Sequence, residues 1–587
     1  MRSTTARVAT IGAFLGVVLL GCHAAPDDVE GQARELMDST RRENALQNLN
    51  RLYDAARRAD RDQEHGENVE AFADAAVPAV TEAYLNTTSD RRNQYRMLEL
   101  LGRIGDPRAM PAFLAALDYQ PEVTENHAVL VGQTFRRMEI PEDQMGPAIE
   151  AMSEALRRIQ GDRQEHNTLR LELIQTLGHL GDPRATPVLV ETALRMSEDQ
   201  DIIINRLAIQ QIAKIRDPEA VGPMIEALFI FQIKDNNLEK ADVQAEQALV
   251  QIGWPSIQPL LDTLHGENEA ANRRVDQLLA VVQEHDPAAR EFDRSALLSD
   301  AVTRALGFVG HPVAFPVIME RISPLTDIRL DRDGQPTGEV AYSVATIAQN
   351  SAMALSQLSV AGELRQRARD ALIGVYRRVP KGTRTDLIRV ILESRDEGYF
   401  DFYVEEVEKE EDEMPQLRLI SFRGATMVAD AEQMQTVRRL YEAEPGPAEG
   451  GYKQNLAELE PVFEVTEECD RDLECWLGKF DDDNPLIVQK ATYMAVRLGR
   501  GNDAVVDPLV DLIRHGNFDV RLSALRALER ASPNGSEHAV RAIDELANEE
   551  AGTRSWERFA TSARITQGRL RTWAHSGDGI QVATSEG

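Results

Sequence analysis

Eleven histidines, 97 acidic residues and three cysteines are the groups with which this 587-residue chain could do chemistry. The histidines stand at 23, 65, 127, 166, 179, 265, 285, 311, 515, 538 and 575. No two share helical spacing, so a histidine-based metal site would need remote segments to converge. No His-Glu-x-x-His, phosphate loop, dinucleotide loop or Gly-x-Ser-x-Gly elbow occurs. Carboxylate pairs are so frequent in an acidic chain that no single pair points to general acid–base catalysis. Asp327, Asp331 and Asp333 approach the chemistry of a calcium loop, yet the regular acids of an EF-hand are missing. The chain is therefore expected to be non-catalytic, with no metal and no cofactor. The enzyme alternative, a lyase or hydrolase, would need a groove that gathers His or carboxylates from separate segments.

The cysteines divide into a pair and a singleton. Cys469 and Cys475 have five residues between them, and in an exported chain such a close pair reads as a local disulfide. Free or transiently oxidised thiols are the alternative; a metal would need further ligands, and the nearest histidine is His515. Cys22 closes a leader in which Arg2 and Arg7 precede an apolar run from Val8 to Leu20. That run is a short signal segment and too short to span a bilayer. Its end, Leu19-Leu20-Gly21-Cys22, resembles the lipobox of bacterial lipoproteins. The resemblance implies cleavage before Cys22, acylation of its thiol, and a chain held outside the cytoplasm. Cleavage near Ala24 or Ala25, with Cys22 discarded, is the competing outcome. Two or more acyl chains anchor stably because each buried CH2 contributes roughly 0.8 kcal/mol. His23 in place of Asp after the cysteine favours the outer membrane by the same resemblance.

Charge narrows the partners. With 65 basic residues the formal charge is -32, which argues against a broad nucleic-acid or anionic-lipid surface. Protein partners and, through Cys22, the membrane remain. The content of 42% hydrophobic and 5% aromatic residues describes a folded chain light on aromatics, and its length allows several domains or one repeat array.

The elements that would have to position any site come from a repeat. Tyr95 to Leu117 contains Leu-Gly-Arg-Ile-Gly-Asp-Pro-Arg-Ala, which returns at 177–185 as Leu-Gly-His-Leu-Gly-Asp-Pro-Arg-Ala and at 212–220 as Ile-Ala-Lys-Ile-Arg-Asp-Pro-Glu-Ala. Asp106, Asp182 and Asp217 recur at intervals of 76 and 35 residues, the first being two units of 38. Two helices and their turns fill such a unit. Leu98, Leu101 and Ile104 share one helical face, and Gly105 allows the turn that ends the helix. Asp106 can accept from the first free amides of the next helix, whose first position suits Pro107. The three aspartates are thus expected to be helix caps, each stabilising by roughly 1 kcal/mol. Trp254 and His311 stand in the cap position before Pro255 and Pro312, so those turns are expected to be less well capped.

The pattern Leu-Gly-x-x-Gly-Asp-Pro-x-Ala before an apolar helix resembles the HEAT repeat, in particular the subtype shared with bilin lyase subunits. It is strong at 95–117, 171–194 and 205–229, moderate at 241–264, 299–322 and 485–546, and faint between 340 and 440. The resemblance implies an all-α superhelix, a HEAT-like alpha solenoid whose inner helices present a protein-binding surface. Residues 323–343 break the period, and Asp333-Gly334 is a turn signal, so a small β-hairpin insertion is expected near 326–343. The organisation expected is a signal peptide at 1–21, a tether at 22–40, an array at 41–444, a Pro/Gly linker at 445–452, a disulfide-bearing block at 453–573 and a flexible tail at 574–587. The acidic run 405–413 is expected to be a solvated helix end, with a cation or basic-partner site as the alternative. A lipid-anchored envelope scaffold that binds other proteins is the expected function, and a purely architectural spacer is the other non-enzymatic alternative.

Overall fold

A computed structural model describes residues 24–61, 66–118, 126–161, 163–197, 199–235, 237–285, 290–332, 335–409, 415–446, 451–499 and 502–575. Cys22, the signal segment, Asp333, residues 410–413, the middle of the 445–452 stretch and the tail from 576 lie outside them. Among the described residues no helix is long and apolar enough to cross a membrane.

Antiparallel helix pairs stack through the chain as an all-α solenoid, and each pair follows from the repeat chemistry. Helix Arg91–Ile104 buries Met97, Leu98, Leu100 and Leu101, then ends at Gly105, whose φ of 70° is the left-handed turn that glycine adopts without strain. A 3-10 turn, Pro107–Ala109, leads into helix Met110–Leu117. The same sequence of helix, left-handed residue, 3-10 turn and helix returns at Gly181 and Gly310. Two further copies carry arginine where glycine stands in the others: Arg216 at φ 62° and Arg395 at φ 47°. A side chain in that conformation costs about 1–2 kcal/mol.

Two compact units divide the chain, the first running to Arg158 and the second from Ile159. In the first, helices Val29–Glu35, Arg42–Ala59 and Glu67–Asn86 pack on one another. The stretch expected as a tether is therefore partly folded: Ala33 and Leu36 are buried, and Gln32 donates to the Ala24 and Ala25 carbonyls. Apolar residues spaced within a polar segment were enough to dock it.

The second unit doubles back on itself. Helices Asp242–Ile252, Arg294–Val309, Tyr342–Gln357, Lys381–Ser394 and Pro415–Val428 follow one another as the inner layer of one row. The returning row faces it in reverse order: Pro485–Gly499 packs on Pro415–Val428, Phe518–Ala531 meets the end of Lys381–Ser394, and Arg554–Thr572 packs on Arg294–Val309 and Asp242–Ile252. Gly568 permits the last approach, since a Cβ there would collide with the Val250 carbonyl. Residues 453–573 thus form the facing wall of the same compact unit as the helices before the 445–452 stretch. The chain turns back there, with the Lys453 amide donating to the Pro445 carbonyl and helix Ala431–Ala443 packing on Glu460–Cys469.

One two-stranded antiparallel hairpin interrupts the helices, β1 (Phe231–Lys234) paired with β2 (Asn237–Lys240) in the register Phe231 to Lys240. The insertion expected at 326–343 also reverses direction, through a single antiparallel bridge between Leu330 and Pro336. The Asp331 amide donates to the Gln335 carbonyl and the Thr337 amide to the Arg329 carbonyl, both at 2.8 Å, so the expected hairpin is present, and the longer ladder at 231–240 is an additional one.

Candidate functional site

Where the two rows of the second unit meet, the carbonyls left free at helix C-termini require donors, because a helix end carries unsatisfied acceptors and a partial negative charge. Cationic side chains from the returning row supply them. Lys490, fully buried, donates to the carbonyls of Thr426 and Met427 at 3.1 and 3.0 Å, and also to that of Ala429. Burial, together with Arg497, holds its pKa well below the usual lysine range. Arg530 donates to the Ser394 carbonyl at 2.7 Å and to that of Arg395. Arg569 donates to the Phe308 carbonyl at 2.8 Å while pairing with Glu529 at 3.0 Å. At the end of the seam Trp254 stacks on His575, ring centroids 5.2 Å apart, with His311 edge-on to the same indole.

A cavity of about 180 Å³ lies in this seam. Its wall includes Arg365, Arg369, Arg526, Arg530 and Arg569 against only three acids, Glu393, Asp396 and Glu529. In a chain of formal charge -32 that is a local reversal of sign. The acids are shared out: Asp396 between Arg365 at 2.8 Å and Arg369 at 3.0 Å, and Glu393 with Arg526 at 3.1 Å. Beside the cavity, Arg395 donates to the Thr492 hydroxyl at 3.2 Å and to the Ser523 hydroxyl. Burial and the neighbouring charges of Arg526, Arg530 and Arg423 lower its pKa to about 9. The glycine-position arginines thus share a use, reaching the returning row. Arg216 lies 3.7 Å from Asp544 of helix Glu537–Glu549, and Arg395 reaches two helices.

The opposite ends of the inner helices form a different surface. Gln232 on β1 accepts from the Ile202 amide at 2.9 Å, and Lys234 pairs with Asp201 at 2.8 Å, which fixes the hairpin on the start of helix Ile202–Ile215. Arg206 of that helix donates to the Lys240 carbonyl on β2. Around this hairpin stand Met196, Ile203, Ile233 and Val243, with 39, 56, 45 and 52% of their surface exposed. They are half of the large apolar side chains exposed among the described residues. Met196 and Ile233 line one hollow with Ile202 and Ile230, and Val243 lines a second beside Leu238, so they cluster about the hairpin, whereas scattered ones would need no explanation.

The residues singled out from sequence fall as follows. Asp106, Asp182 and Asp217 accept from the amides of Arg108, Arg184 and Glu219 at 2.8, 2.9 and 3.0 Å, each at the start of a 3-10 turn. Cys469 and Cys475 are disulfide-bonded, with Cα atoms 5.4 Å apart. His311 does cap its turn, Nδ1 accepting from the Val313 amide at 3.2 Å, so imidazole replaces carboxylate; Trp254 gives no such cap, and Gly253 precedes it without a side-chain bond. Asp331 accepts from the Gln335 amide at 2.8 Å, and Asp327 is the residue after helix Phe315–Thr326. In the acidic run, Glu405 pairs with Arg377 at 2.7 Å and Glu406 accepts from the Tyr376 hydroxyl at 2.8 Å, so its described part serves helix packing. Among the described residues no group of three His, Cys, Asp or Glu side chains could hold a metal ion. The arginine seam and the hairpin rim both escaped sequence reading. Arg395 stood in a glycine's place in a faint repeat copy, and Asp235-Asn236 is a turn signal between two short alternating runs.

No family model and no curated protein matches the chain. Among solved structures it is similar to Kap121p bound to Ste12p, with 11% identity, 94% of this chain and 67% of that chain covered, and a TM-score of 0.25. A multiply substituted Kap121p is similar at 10% identity, with 94 and 68% covered and a TM-score of 0.23. Kap121p alone gives 11%, 94 and 68%, and 0.23.

Proposed function

We propose that this chain is a lipid-anchored, extracytoplasmic HEAT-like protein of the bacterial envelope that binds and organises other envelope proteins without a covalent step. The observation that carries the binding role is the apolar rim around the hairpin. Ile203 and Val243 occupy the first turns of two inner helices, and Ile233 lies on β1, so rigid elements present all three. Such a patch suits an apolar face of a partner protein, with Lys234, Arg206 and Glu239 as a polar rim. The anchored address rests on the leader and Leu19-Leu20-Gly21-Cys22, and the outer membrane is the favoured side.

In vivo crosslinking followed by quantitative mass spectrometry tests both parts. Native chain, Cys22→Ala and the double variant Ile203→Asp/Val243→Asp are compared. A small, reproducible partner set that disappears with the rim variant supports the reading, and release of Cys22→Ala from the membrane fraction supports the anchor. Partners unchanged by the rim variant, or none in any sample, overturn the binding role. A Cys22→Ala chain that stays in the membrane overturns the anchor.

A further inference from the structure

Every arginine that walls the seam cavity holds an acid: Arg365 and Arg369 hold Asp396, Arg526 holds Glu393, Arg530 lies 3.7 Å from Glu397, and Arg569 pairs with Glu529. The first unit contains a cavity where the arginines are not so matched. It measures about 520 Å³ and lies against the ends of helices Arg42–Ala59, Arg91–Ile104 and His127–Phe135. Arg57, Arg103 and Arg137 line it against one acid, Glu139, which makes no ion pair among the described residues. Arginine near a helix C-terminus ordinarily donates to the last carbonyls. Arg137 does so once, its Nε reaching the Gln133 carbonyl at 3.1 Å, and it pairs with no acid among the described residues. Arg103 is held by Asp54 and by the Asn50 side chain at 2.8 Å, and it lies 5.1 Å over the Tyr53 ring. The Arg57 side chain makes no hydrogen bond or ion pair among the described residues, and its Nε is buried without a partner. A guanidinium drawn partly out of water without counter-charge favours an anion beside it. The floor is apolar, with Ile104, Met138 and Ile140 each half-buried and facing no closer neighbour than the cavity.

We propose that this cavity binds a small amphiphile with an oxyanion head, the head on Arg57 and Arg137 and the apolar chain against Ile104, Met138 and Ile140. Guanidinium presents planar paired donors, the geometry that carboxylate and phosphate oxygens accept best. The volume falls in the range of small-molecule sites, and an apolar wall with a few convergent polar groups is how such sites are built. In a chain of formal charge -32, three arginines around one hollow select for negative charge where most of the surface repels it. Arg103, fixed by Asp54 and Tyr53, holds its place in the wall and leaves the head to the two arginines without acids. The cavity belongs to the first unit and the hairpin rim to the second, so the site does not rest on the scaffold reading.

The test is isothermal titration of the full chain with octanoate and, separately, octyl phosphate, at constant ionic strength, with octanol and butyrate as controls that lack the charge or most of the chain. Saturable binding of either charged probe is expected, and the tighter of the two identifies the head group. Octanol should bind at least about tenfold more weakly, since a hydrogen bond to a charged group contributes enough for that factor. Butyrate, four methylenes shorter than octanoate, should also lose at least about tenfold. Arg57→Gln removes a side chain that bonds nothing, and Arg137→Gln changes an exposed one; each should weaken the charged probes by about tenfold and leave octanol unchanged, with thermal midpoints confirming that both variants fold. Octanol binding as tightly as octanoate, no saturable binding of either charged probe, or binding unchanged in both variants would overturn the site.

Discussion

Glu246 is the carboxylate whose surroundings most clearly oppose its charge. It lies on helix Asp242–Ile252 with 4% of its surface exposed, and burial, with Asp242 and Asp300 nearby, raises its pKa to about 7 although Arg304 pairs with it at 2.9 Å. One guanidinium serves three acids, since Arg304 also reaches Asp242 at 3.2 Å and Asp300 at 3.5 Å. An acid whose folded pKa exceeds its unfolded value takes up a proton on folding. The second unit is therefore most stable below about pH 4.5 with respect to this group, loses stability as pH rises to about 7, and changes no further above that. The interval from 4.5 to about 7 corresponds to about 3 kcal/mol. Glu246→Gln keeps an acceptor for Arg304 and removes the charge. Its stability relative to the native chain should be near zero at pH 4.5 and reach up to about 3 kcal/mol in its favour at pH 8. Urea unfolding of both chains from pH 4.5 to 8.5, with hydrogen exchange of the 242–252 peptide as the local readout, measures this. Parallel pH profiles for the two chains would refute the reasoning.

Three further perturbations probe the construction. Lys490→Met leaves the Thr426, Met427 and Ala429 carbonyls without their donor; a loss of about 2–4 kcal/mol is expected in denaturant unfolding, with faster exchange at the end of helix Pro415–Val428. Asp182→Ala should cost about 1 kcal/mol and loosen helix Thr186–Leu194 in hydrogen exchange, while Asp182→Asn, which still accepts from Arg184, should change little. Truncation before Arg554 should raise exchange in 242–252 and 294–309, some 250 residues away, while leaving 91–117 unchanged; uniform protection would show that the rows hold without that helix.

What could be read in advance was what is written locally. Periodicity, Gly105, Gly181 and the Asp-Pro pairs act within one turn of chain, so the repeats and caps at 95–117 and 171–194 were visible. The copy around Arg395 was faint because Arg395-Asp396-Glu397 replaces Gly-Asp-Pro, although Asp396 still caps its turn, accepting from the Gly398 amide at 2.9 Å. Arginine in a left-handed position is paid for by bonds to residues about a hundred and more positions onward, and no local pattern announces such partners. The doubled-back seam was illegible for the same reason. Arg530 and Arg569 read as ordinary helix-surface charges until the opposing helix ends are in place. The exposed rim depends on where the hairpin lands, which the alternation of four-residue strands states too weakly.

The facing rows also set an order of events as the chain emerges into the compartment where it folds. In an open stack of repeats each new pair completes its contacts with the pair just made, so structure grows as the chain emerges. Here the inner flanks of helices Asp242–Ile252 and Arg294–Val309 wait for helix Arg554–Thr572, so the Val250 carbonyl stays without its neighbour Gly568, and the Phe308 and Gly307 carbonyls without Arg569, until residue 572 has emerged. During that interval the half-built row is a surface that binds whatever fits it, and closing it last makes the contact between residues 250 and 568 the slow, long-range step of folding.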